Sequence, residues 1–138
     1  KKGKGLLPTI SQAPKDHHSL LQLYLDGPRD KLFYVLSSDQ VSGNKISVNK
    51  FDKELKYLNK KSLNQIKNAQ KNAFLKNLKK KKIPFREIKI RNYNEQTLGE
   101  LFSYFIIETV LVAKLININP FDQPAVDQVK KDTRKELI

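Results

Sequence analysis

Apolar positions along the chain fall into two spacings, and the spacing divides it into elements. Between residues 62 and 82, Leu63, Ile66, Ala69, Ala73, Phe74 and Leu78 lie on one stripe at helical steps. Ser62 stands where a hydroxyl can cap that helix, and Pro84 stops its continuation. "KLFYVLSS" (31–38) is a dense apolar run rich in aromatics, which fits a buried strand of a parallel sheet. "FREIKIR" (85–91) alternates apolar and charged residues, the pattern of a half-exposed strand. "HHSLLQLYLDGP" predicts a short helix over 17–26, closed by Gly27-Pro28. "TLGELFSYFIIETVLVAKLI" (97–116) is apolar on nearly all sides, so a central, buried helix is expected. Residues 1–16 read as a loop, and 39–61 as irregular with a turn at Gly43-Asn44.

The chain closes with "NPFDQPAVDQVKK" (119–131). Pro124 suits a first helical position, so a final helix is predicted over 124–138. Asp122 and Gln123 are placed to cap it, and Val126 and Val129 are expected to face a core. Strand, helix, strand, helix, helix is an α/β order. Two strands are too few for a doubly wound sheet, and the strands that would complete it are expected before residue 1. There is no internal repeat.

Composition narrows the class. The 138 residues suffice for one domain with a core, and 38% apolar content argues against disorder. The absence of cysteine excludes a disulfide framework and suits a reducing compartment, so a cytoplasmic location is expected. No run is long and uncharged enough for a membrane span. The nearest, Leu101 to Ile118, carries Glu108 and Lys114. There is no methionine, which gives the expectation that the chain is processed or a piece of a longer protein. The net charge of +13 raises a nucleic-acid face as an alternative. Only four arginines contribute, and base-edge reading relies on arginine. The lysine run "LKNLKKKKIP" closes a predicted helix, where the dipole favours cations. No nucleic-acid partner is therefore expected.

Glycine-rich phosphate loops and metal-ligand motifs are absent, so no metal is expected. Three features could carry chemistry. His17 and His18 are the only histidines and sit together at a loop-to-helix junction. Histidine suits proton transfer near neutrality, although a capping or surface role would place it there too. Gln123 and Lys130 are two turns apart on one helix, roughly 10 Å along its axis, and could grip an anionic, hydroxylated ligand. On spacing alone, an amphipathic terminal helix with a solvated lysine is the simpler reading. Glu108 is a carboxylate inside an apolar helix, a weaker candidate base.

Longer stretches decide among these. "DHHSLLQLYLDGP" (16–28) resembles the D-Q-H-S-Q-L-Q-L-Y-x-x-G-P segment of bacterial glucose-6-phosphate isomerases. "NPFDQPAVDQVK" (119–130) resembles that family's C-terminal F-D-Q-x-G-V-E-x-x-K signature. Between them, "LKYLNKKSLNQIKNAQ" and "TLGELFSYFIIETVLVAKL" are similar to L-x-x-L-x-G-K-S/T-L and Y-T-L-G-x-L, in the same order. The likeness covers essentially the whole chain. His17 stands where the family has Gln, Ala125 replaces a Gly, and Asp127 is one methylene shorter than the family's Glu.

The resemblance implies an α/β fold, an incomplete sugar-isomerase (SIS) domain with a parallel sheet flanked by helices. Residues 1–118 would form the C-terminal part of that domain, and 119–138 the signature helix. It implies reversible conversion of glucose 6-phosphate to fructose 6-phosphate through a cis-enediol. His18 would assist ring opening, Lys130 would act with it near the ring oxygen, and Gln123 would hold the phosphate. No cofactor is implied. The catalytic glutamate, an arginine and the phosphate loop would lie upstream of "KKGKG", so this chain would be inactive alone. Its expected partners are the missing N-terminal part and a second copy, because family members are dimers in which the motif histidine comes from the neighbouring chain. Exposed apolar surface follows, above all on the helix 97–116. A non-catalytic SIS-like sugar-phosphate binder is the alternative of another class.

Overall fold

The computed structural model describes residues 3–38, 45–47 and 53–138. The turn expected at Gly43-Asn44 lies outside the described residues. The chain forms two compact units, Thr9–Tyr93 and Lys1–Pro8 with Asn94–Ile138.

The first unit carries α1 (His17–Asp26), β1 (Phe33–Ser38), a 3-10 turn (Lys56–Leu58), α2 (Leu63–Lys80) and β2 (Phe85–Ile90). Leu23 and Gly27 show why α1 stops where it does. The Gly27 amide donates to Leu23 O at 3.0 Å, and a Cβ at Gly27 would meet that same oxygen at 2.3 Å. Only glycine fits so close to a carbonyl, and Pro28 then cannot continue the helix. The start of α2 is fixed as firmly. Ser62 Oγ accepts from the Gln65 amide at 3.2 Å, while Gln65 Oε1 accepts from the Ser62 amide at 2.8 Å. This reciprocal pair satisfies two otherwise orphaned donors.

β1 and β2 pair in parallel, in register from Phe33↔Phe85 to Ser38↔Ile90. Parallel neighbours need a crossover, and α2 is the helix between them. One sheet face, bearing Phe33, is covered: its ring meets Tyr24 of α1 at 5.1 Å and Phe74 of α2 at 5.8 Å. Among the described residues of this unit, Leu78 and Ile83 are the buried apolar ones. The other face carries Tyr34 and Leu36, with Arg86 placed 5.4 Å over the Tyr34 ring, and Leu36 is exposed. The parallel pair joined through a helix matches the expected α/β class.

The second unit holds α3 (Glu95–Leu115) and α4 (Pro124–Glu136). Asn94 caps α3, its Oδ1 accepting from the Thr97 amide at 2.9 Å. For α3 the two expectations diverge. The burial expected from its all-round apolar pattern fails, and the exposure that the family likeness implies holds: Leu98, Phe102, Ile106, Ile107 and Leu111 are between 51% and 65% exposed, and only Ala113 is buried on it. Val126 and Val129 face no core either, at 45% and 66% exposed. α4 does begin at Pro124 as expected. Gln123 precedes it without a side-chain cap, the Asp127 amide bonding instead to the Gln123 carbonyl at 3.0 Å.

Candidate functional site

α1 presents the adjacent histidines differently. Asp16 precedes it and accepts from the Gln12 amide at 2.6 Å, which ties the incoming loop down. His17 turns inward, its ring 4.9 Å from Phe74 and half-buried. His18 lies in the first turn and is exposed. The inner histidine thus packs the helix onto α2, and the outer one is free to meet a ligand. Spacing could not separate them. The signal was that Phe74 lies on the stripe of α2 that faces the sheet.

On α4, Lys130 is 69% exposed, with its ammonium 3.9 Å from Asp127 Oδ1 one turn earlier. A contact that long between solvated groups holds little energy and leaves the ammonium available to an anion. Gln123 is exposed at the helix entrance, and its amide is not spent on capping. Gln123 stands at the N-cap position of α4 and Lys130 lies within it, whereas His18 belongs to the other unit.

Glu108 is half-buried on α3 and accepts from the Tyr104 hydroxyl at 3.4 Å. Sequence reasoning did not find a second polar group, on the covered face of the sheet. Lys71 of α2 reaches Glu87 of β2 at 2.9 Å, and Ser37 of β1 lies 3.4 Å from each. The pair is 13% and 25% exposed. The hydrogen bond from Lys71 holds the Glu87 carboxyl below its ordinary range, against the opposing pull of burial. The signal was a change of parity in "FREIKIR". Phe85 and Glu87 share one face, and Ile88 and Ile90 the other. All three groups bond to one another, so the cluster braces α2 against both strands. Among the described residues no cluster could hold a metal ion, and no helix is long and apolar enough to cross a membrane.

Known proteins resemble this chain over nearly all of it. No family model matches. Glucose-6-phosphate isomerase of Mycoplasmopsis synoviae is 34% identical over 136 residues, covering 96% of this chain and 31% of the relative. That of Mycoplasmopsis pulmonis is 34% identical over 141 residues, covering 99% and 33%. That of Carboxydothermus hydrogenoformans is 32% identical over 131 residues, covering 94% and 28%. A crystal structure of a hypothetical protein from Thermus thermophilus superposes with a TM-score of 0.76 at 28% identity, over 91% of this chain and 30% of that one. The chain therefore spans about a third of the length of the curated relatives it matches.

Proposed function

Because the chain belongs to the glucose-6-phosphate isomerase family, we propose that it is the C-terminal part of a cytoplasmic aldose–ketose isomerase interconverting glucose 6-phosphate and fructose 6-phosphate. Its residues 1–118 belong to a SIS-type domain and 119–138 to a signature helix. The single observation that carries this reading is likeness to enzymes of that name along 94% to 99% of the chain.

His18 and Lys130 open the sugar ring. The proton on the C1 hydroxyl leaves, the C1–O5 bond breaks, and O5 gains a proton. A histidine with solvent access suits that transfer. The Lys130 ammonium stabilises charge near the ring oxygen, and the Gln123 amide donates to the phosphate. In the homodimer His18 completes the site of the neighbouring copy. This matches a histidine held on a short helix whose partner side chain, His17, anchors it. The glutamate that moves a proton between C2 and C1 comes from the rest of the protein. The chain alone is therefore inactive.

Supplying that remaining part to the chain and assaying fructose 6-phosphate formation tests the proposal. Activity should appear only on mixing, and Lys130→Ala should then cost about 10²-fold or more, the scale of a positioned catalytic group. Near-normal turnover in that variant overturns the assignment of Lys130. An assembled protein that binds sugar phosphate but lacks any such glutamate supports the non-catalytic binder instead.

A further inference from the structure

An opening lies in the unit Thr9–Tyr93, at the end of the sheet where β1 and β2 begin. The turn after α1 and the turn from α2 into β2 enclose a cleft of about 370 Å³. That volume is at the small end of ligand pockets. Tyr24, Ile83 and Pro84 supply apolar lining, and Arg29, Lys31, Lys81 and Lys82 supply positive charge. Ligands of open parallel sheets sit at the carboxyl ends of strands, so this is the opposite end. Tyr24 is also six residues beyond His18, about 9 Å along α1.

The charges around the cleft are not equivalent. Asp26 and Asp30 do not line it, being engaged with the ammonium groups of Lys81 and Lys31. Arg29 Nη1 donates to Lys81 O at 3.0 Å, which fixes the guanidinium by one N–H and leaves its others unspent. The same bond, with Lys82 N to Lys79 O and Ile83 N to Leu78 O, satisfies carbonyls at the close of α2. The negative end of the helix is thus capped before any ligand arrives. The Lys82 ammonium makes no ion pair among the described residues. One fixed guanidinium, one free ammonium and an aromatic wall suit a dianion that carries an apolar body.

We propose that this cleft binds an organic phosphate monoester, its phosphate held by Arg29 and Lys82 and its organic group against Tyr24. The site is independent of the isomerase reading, since it uses none of His18, Gln123 or Lys130. Calorimetric titration of the chain with phenyl phosphate, inorganic phosphate and a DNA oligomer tests it. Phenyl phosphate should bind at one site per chain and more tightly than inorganic phosphate. Arg29→Gln and Lys82→Gln should each weaken it about tenfold, the worth of one charge-assisted hydrogen bond. Lys67→Gln, on the exposed side of α2, should leave it unchanged. Lys82 makes no structural side-chain bond to a described residue, so that variant reads the site even if Arg29→Gln unfolds. Absence of saturation, equal weakening by Lys67→Gln, or saturation by DNA alone overturns the proposal.

Discussion

Two neighbouring histidines show how a single position decides between packing and chemistry. His17 touches Phe74 and is half-buried, whereas His18 is exposed one residue later. His17→Ala should lower unfolding free energy by about 1 kcal/mol, the worth of an aromatic pair. His18→Ala should leave denaturant unfolding unchanged, yet remove most of the ring-opening rate in the assembled isomerase. Equal stability losses in the two variants would contradict the division of roles. Glu87 gives a pH-dependent counterpart. Its carboxyl is held below its ordinary 4.5 by the Lys71 hydrogen bond. A carboxylate more acidic in the folded state stabilises the fold above its unfolded pKa and loses that contribution as pH falls through the folded value. Glu87→Gln should therefore melt lower than the parent at pH 7, with the gap closing progressively below pH 4.5. Melting curves across that range check the sign. A gap that widens on acidification would contradict it.

At the scale of elements, local chemistry was readable because it is encoded within a few residues. Ser62 announces the start of α2, its reciprocal partner Gln65 showing only in the structure, and Gly27-Pro28 announces the end of α1. Ser62→Ala should destabilise the fold by about 1 kcal/mol, measured by urea unfolding, since the Gln65 amide loses its acceptor while the bond from the Ser62 amide to Gln65 Oε1 remains. Gly27→Ala should cost more than Ser62→Ala, because its new Cβ collides with the Leu23 carbonyl as well as with the Leu23 side chain, and backbone cannot swing aside. An equal or smaller loss would mean that α1 can end elsewhere. The burial that the pattern of α3 alone suggested fails for the opposite reason, whereas the exposure implied by the family likeness holds. Apolar residues on nearly all sides state what the helix needs, not what is present to meet it. Val126 and Val129 fail likewise. Their spacing predicted a helix, which forms, and a core, which the described residues do not provide. The exposed His18, Gln123 and Lys130 were reached through motif likeness. The Lys71–Glu87 brace could have been reached only by noticing a carboxylate on the inward face of β2.

For the whole molecule, the consequence is a chain with unmet demands. Parallel strands are ordinarily covered on both faces, and here Leu36 on the face with Tyr34 is 47% exposed. Among the described residues the sheet has two strands and no third on either edge, and open edges invite further pairing. α3 exposes Leu98, Phe102 and Ile106 on one side and Ile107 and Leu111 on another. Surfaces of that kind mark interaction sites in folded proteins and aggregation sites in isolated ones. The chain by itself should bind a hydrophobic dye and sediment with a concentration-dependent mass. Ile107→Glu should reduce both effects without unfolding α1 and α2, because its side chain is 59% exposed. Adding the remainder of the proposed isomerase should quench the dye as activity appears, since burial of these faces and completion of the site would be one event. Activity gained with no loss of dye binding would separate the two, and would mean that the apolar surface of α3 serves some other contact.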